Sequence, residues 1–133
     1  MGTWNALPSS MKFLGMHPDG TGYFYNSPTT IYRSADWHTS SPTFTQFYSI
    51  STGNLKSAGV DWMIVKPDPF DNQAIYTVNA SGDFVRVKNT GTTFGAAVVT
   101  NYNLRPTTGL TVADWAFGVC MVAADYRVNG LVY

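Results

Sequence analysis

The chain has 133 residues, 8 Lys+Arg against 8 Asp+Glu, and a formal net charge of zero at pH 7. That balance gives no electrostatic case for nucleic acid or an anionic membrane surface as a partner, and no apolar run approaches the ~20 residues that span a bilayer as a helix. All 8 acids are Asp; without Glu, a strong helix former, the chain lacks much of what helices are made from. With 8 Tyr, 8 Phe, 4 Trp and 12 Gly among many Ser, Thr and Asn, the composition predicts an all-β domain with polar turns. The single Cys excludes an intrachain disulfide framework. Cys120 lies in the apolar run Val119-Cys120-Met121-Val122 and reads as a small core residue.

In chain order, strands are expected over residues 11–16, 22–25, 31–34 and 43–48, with Pro18-Asp19-Gly20 as the first turn. A second series follows: 62–65, a turn over 67–72, then 74–78, 83–88 and 92–99. A third begins with 115–122 and ends with 131–133. The series share wording. Phe13-Leu14-Gly15-Met16-His17-Pro18-Asp19 lines up with Trp62-Met63-Ile64-Val65-Lys66-Pro67-Asp68 and with Trp115-Ala116-Phe117-Gly118-Val119, and a Thr-aromatic pair recurs as Thr3-Trp4, Thr43-Phe44 and Thr93-Phe94. A period of roughly 40–50 residues made of short strands is the signature of propeller blades.

The expected architecture is therefore a β-propeller-like array of four-stranded antiparallel blades in a single domain, 1–133. Residues 1–8 supply the last strand of a split blade, 11–49 and 61–99 one blade each, and 114–133 the first half of another. That is about two and three-quarter blades where closed rings use 4–8, so completion by other copies or by further sequence is expected. A β-sandwich or jelly roll also uses many short strands and stays open as the alternative.

Ile31-Tyr32-Arg33-Ser34-Ala35-Asp36-Trp37-His38 through Thr43-Phe44 resembles the Asp-box of sialidase-like and sortilin-like propellers, also called the BNR repeat, which runs Ser-x-Asp-x-Gly-x-Thr-Trp. Ser34, Asp36, Thr43 and Phe44 match in kind; His38 replaces the Gly, the loop is longer, and Phe stands in for Trp. The resemblance implies a structural role for this box, on the periphery of a propeller and away from any substrate. The residue chemistry agrees, because an Asp in a tight hairpin accepts nearby backbone N–H groups.

No catalytic set assembles. Five Asp fall in expected turns (Asp19, Asp68, Asp71, Asp83 and Asp125), while Asp61 and Asp114 recur before a Trp and read first as a repeated structural device. The sharper reading of that pair is a ligand or cation bound in a central opening. Arg33 and Arg86 occupy matching third-strand positions. His17, His38 and Cys120 lack metal-ligand spacing, and no cofactor is implied. The connections over 50–60 and 100–113 exceed what a hairpin needs, and long loops on rigid β scaffolds carry binding. They also read as plain solvated linkers. They offer Tyr102, Asn103 and Arg105, with Asn54 and Lys56, as candidate ligand-binding residues. An aromatic with amides and a guanidinium can stack on a sugar and hydrogen-bond its hydroxyls. The expectation is a non-enzymatic, glycan-binding recognition module. The alternatives are a structural or adhesive virion component of the tail-fibre kind and a fragment of a propeller glycoside hydrolase. The composition favours an extracellular or virion-surface setting.

Overall fold

The computed structural model describes residues 7–8, 11–27, 30–49, 65–78, 84–102 and 127–129. The expected strands over 1–8, 62–64, 115–122 and 131–133 lie wholly or largely outside these residues, as do Asp61, Asp83, Asp114, Cys120 and Asp125. The described chain is all-β, in two four-stranded antiparallel sheets. The first holds β1 (Lys12–Met16), β2 (Gly22–Ser27), β3 (Thr30–Ser34) and β4 (Thr45–Ser49). The second holds β5 (Lys66–Asp68), β6 (Asp71–Val78), β7 (Phe84–Asn89) and β8 (Ala97–Asn101). In both, spatial order follows chain order, so each sheet is a meander of hairpins with no closed barrel among the described residues.

The strands follow from alternation. Along β7, Val85, Val87 and Asn89 are buried while Phe84, Arg86 and Lys88 between them are half-buried, so successive side chains take opposite faces. In the first turn Gly20 takes a φ of 96°, a conformation that a Cβ would oppose. There its N–H donates to His17 O at 2.9 Å.

Two elements of the second series differ from the sequence expectation. Val65 is buried but precedes its strand, and β5 is Lys66–Asp68, which runs into the turn expected over 67–72; the rest of the expected strand, 62–64, lies outside the described residues. The cause is Asp68, whose Oδ1 accepts Phe70 N–H at 3.0 Å and closes the hairpin at residues 69–70, so that β6 begins at Asp71. Pro67 fits because, among the described residues, β5 pairs only with β6 and needs no second row of donors. The expected strand over 92–99 is likewise shifted: a 3-10 turn at Phe94–Ala96 precedes β8. The Phe94 ring leaves its own sheet and meets Tyr32 of β3 edge-on at 5.6 Å.

The sheets stack like strand on like strand. A Cβ placed on Gly15 of β1 would lie 2.9 Å from Pro67 Cδ of β5, so only glycine permits this approach. Tyr23 Oη of β2 donates to Asn72 O of β6 at 2.5 Å. Arg33 of β3 donates from Nη1 to Asn89 O, at the end of β7, at 2.7 Å. Tyr23 and Asn72 are each the second residue of their strand, while Arg33 is the last but one of β3 and Asn89 the last of β7. Starts thus lie over starts and ends over ends, and the stacked strands run the same way. A sandwich that joined equivalent faces in this strand order would run them in opposite directions. The front of one sheet instead meets the back of the next. In keeping with this, the cross-strand pair Tyr23–Arg33 faces the second sheet, and its counterpart Tyr76–Arg86 faces away from the first.

Between the sheets lies one apolar core: Leu14, Tyr23, Ile31 and Phe47 against Val65, Ile75, Val85 and Val87. Burial pushes the Tyr23 hydroxyl well above its ordinary titration range. On the far side of the first sheet, Phe24 is fully buried beneath Phe13, Trp37 and Phe44.

Candidate functional site

Alternation along β6 and β7 directs Tyr76, Phe84, Arg86 and Lys88 away from the first sheet. On that face Tyr76 stacks on Phe84 with centroids 5.7 Å apart and planes 7° from parallel. Phe84 in turn lies 5.6 Å from Tyr102. Tyr102 is fixed there by its own N–H, which donates to Phe84 O at 3.0 Å. Tyr76 is buried, whereas Tyr102 keeps 42% of its surface exposed and ends the run at solvent. Val98 and Thr100 share this face by alternation along β8, and both are exposed.

Beside the rings sits a compact ionic cluster. Arg86 binds Asp68 through Nε at 2.9 Å and Asp71 through Nη2 at 2.7 Å. Lys88 Nζ reaches Asp71 at 2.8 Å. Burial works against the charge on Arg86, but the two carboxylates outweigh it and raise the guanidinium pKa further. Burial likewise resists ionisation of Asp71, and Lys88 and Arg86 overcome it, holding the carboxyl below its usual range. Tyr76 is shifted upward, first by burial and then by the Asp68 charge, which disfavours a phenolate. Both carboxylates and the guanidinium are consumed by one another, so the cluster fixes the β5–β6 hairpin to β7. Beside it, Tyr102 is the exposed end of the aromatic run.

The box residues form a clasp around one oxygen. Asp36 Oδ1 accepts the Ser34 hydroxyl at 2.7 Å and Thr43 N–H at 2.9 Å. The Ser34 bond leads in keeping the Asp36 carboxyl below its ordinary range, with the Thr43 bond next. Phe44 then meets Phe24 edge-on at 5.2 Å. Trp37 Nε1 donates to Gly20 O at 2.9 Å, tying this loop to the β1–β2 turn.

Of the five residues expected to bind a ligand, Tyr102 is placed at the exposed end of the aromatic run. Asn103, Arg105, Asn54 and Lys56 lie outside the described residues. Arg33 and Arg86 do not converge: the first reaches Asn89 between the sheets, and the second is locked to Asp68 and Asp71 on the opposite face. No group of three His, Cys or Asp side chains that could hold a metal occurs among the described residues, and no described helix is long and apolar enough to cross a membrane.

Asn89, which falls in the connection left between the expected strands over 83–88 and 92–99, was missed as a structural residue. The side chain is fully buried; its amide donates to Phe47 O at 2.6 Å and Thr93 O at 2.8 Å, and its Oδ1 accepts Gly91 N–H at 2.8 Å. Asn89 ends β7 as Ser34 ends β3, so the second sheet has a clasp of its own at the corresponding place. The spacing Asn89-x-Gly91-x-Thr93 was the available signal. Comparison of this chain with family models, curated proteins and solved structures returns no match.

Proposed function

We propose that this chain is a non-enzymatic recognition module whose ligands are glycans, carried on blades of the propeller type. The aromatic run ending at Tyr102 carries the functional reading. A half-exposed ring, braced from behind by Phe84 and Tyr76, is a preformed platform for the apolar face of a sugar. Aromatic side chains pair large contact area with few rotamers to freeze. Thr100 and Lys88 lie on the same face and offer hydroxyl and ammonium donors at its border. The front-to-back stacking of the sheets supports the blade reading, because neighbouring blades meet in this way. A ring of such blades needs more of them than two, drawn from other copies or from a longer chain.

A glycan array on the full chain, followed by titration of the best binder, tests the function. Tyr102→Ala should weaken binding at least tenfold, about 1.4 kcal/mol, while Tyr102→Phe keeps most of the affinity. An array with no binder, or equal affinity for the Ala variant, removes the reading.

A second reading, a structural or adhesive surface component, rests on the uncharged and exposed fourth strand of the second sheet. It predicts assembly without sugar binding.

A further inference from the structure

The face of the second sheet that carries Tyr102 is not evenly open. Toward β6 it is closed: Ala74 and Tyr76 are 0% and 3% exposed, and Arg86 is bonded to Asp68 and Asp71. Along β8 it is open. There Val98 is 66% and Tyr102 42% exposed, and Thr100 between them is exposed as well. Lys88, directly opposite Val98, keeps 43% of its side chain exposed.

The register makes this open ground a straight strip. Antiparallel partners directly opposite one another share a face, so Val98 stands beside Lys88 and Thr100 beside Arg86. The bond from Tyr102 N–H to Phe84 O continues the ladder and sets the Tyr102 ring beside Phe84. The β7–β8 pairing has no bulge, and same-face residues of one strand recur about 7 Å apart. Tyr102 and Val98 are therefore about 14 Å apart along the strand. One six-membered sugar ring does not reach from one to the other.

The strip changes chemistry along its length. Tyr102 offers an aromatic ring, and Thr100 a hydroxyl that both donates and accepts. At the far end, apolar Val98 adjoins the Lys88 ammonium, one of whose three donors goes to Asp71. A chain of sugar rings repeats the matching features, C–H faces and hydroxyl edges, at every unit.

We infer that the ligand is a linear oligosaccharide lying lengthwise along β8, with one ring stacked on Tyr102 and a later ring held at Lys88. This rests on the recognition reading above and adds to it the shape and reach of the ligand. A monosaccharide on Tyr102 leaves the Lys88 end unused. The two ends of the strip differ, so the chain is bound in one direction. Each contact is weak at an exposed surface, and affinity comes from linked units engaging together.

Cello-, chito-, malto- and manno-oligosaccharides, from monosaccharide to hexasaccharide, printed beside branched glycans on one array, test this on the full chain. In at least one series, affinity should rise with added units and level off once the strip is filled. In amide NMR spectra, the binding hexasaccharide should shift the signals of Val98, Thr100 and Tyr102, whereas its monosaccharide shifts Tyr102 and not Val98. That measurement needs no variant to fold. Thr100→Val keeps the branched shape and should lower the hexasaccharide-to-monosaccharide affinity ratio about threefold to tenfold, the worth of one hydrogen bond. Lys88→Met keeps the stem and should lower the ratio about tenfold, as for a bond to a charged group. Affinity independent of length, or binding confined to branched probes, overturns the lengthwise ligand and leaves the recognition reading standing. So does a hexasaccharide that shifts nothing at Val98 and Thr100, or a ratio unchanged in both variants. Silence across the whole array removes both.

Discussion

Arg33 and Asn89, 56 residues apart, join the two sheets: the guanidinium donates to Asn89 O at 2.7 Å and to Gly91 O at 3.0 Å. It also lies 5.7 Å from the centroid of the Phe47 ring. Arg33→Met keeps much of the stem and removes the fork, stranding two carbonyls. The expected loss in urea unfolding is about 2–3 kcal/mol. Arg33→Lys should recover little, since one ammonium does not reproduce a planar fork over two acceptors. Equal stability of wild type and the Met variant would show that the sheets are held by apolar packing alone.

Arg86 neutralises Asp68, whose side chain is only 2% exposed. Arg86→Met should cost about 3 kcal/mol by leaving that carboxylate buried and unpaired. Adding Asp68→Asn should recover part of the loss. A double-mutant cycle by chemical denaturation reads the coupling; strictly additive losses would deny that the two residues act as a unit.

Gly15→Ala forces a methyl against the Pro67 ring, 2.9 Å from its Cδ. A proline ring cannot swing aside as a long side chain does, so the sheets must part along β1 and β5. A loss of about 1–3 kcal/mol is expected, seen as a lower thermal midpoint. Pro67→Ala in the same chain should relieve it, and a double variant no more stable than Gly15→Ala would place the strain elsewhere.

Asp19, Asp36 and Asp71 all titrate below the ordinary value of 3.8. Burial opposes ionisation of Asp19 and Asp71. For Asp19 it is outweighed by the Thr21 N–H and by Asn72 and His17, and for Asp71 by Lys88 and Arg86. For Asp36 the Ser34 hydroxyl leads. A carboxyl whose folded pKa is depressed contributes stability that is present above its unfolded pKa and lost as pH falls through the folded one. Denaturation midpoints should therefore hold between neutrality and about pH 5 and decline below about pH 4. Asp36→Asn is the sharper test, because Ser34 and Thr43 both bond to the one oxygen, Oδ1, that an amide retains. It should keep the clasp at pH 7 and flatten the acid decline. An unchanged slope would remove Asp36 from the acid response.

What could be read from the sequence was local. The four strands of the first sheet fall within two residues of expectation, because each is bounded by a turn residue whose side chain acts at short range: Asp19 accepts Thr21 N–H and Asp36 accepts Thr43 N–H. The second sheet was less legible where one residue served two purposes. Pro67 looked like a turn residue and is an edge-strand residue; Asp68 looked like turn filler and carries both the hairpin and the Arg86 pair. Phe94 looked like a strand residue and packs on the neighbouring sheet. The site was legible only at Tyr102. Its partner Phe84 is 18 residues back, and the stack that braces it exists only once β7 and β8 are paired.

Front-to-back stacking also gives the pair of sheets a polarity. One outward surface is a bed of Phe13, Trp37 and Phe44 over Phe24; the other is the Tyr76–Phe84–Arg86 surface with its bound carboxylates. Stacking of this kind has a head and a tail that differ in chemistry. A unit added in the same sense would set the Phe13, Trp37 and Phe44 bed of one against the Tyr76–Phe84–Arg86 surface of the next, whereas one rotated end for end would set like surface against like.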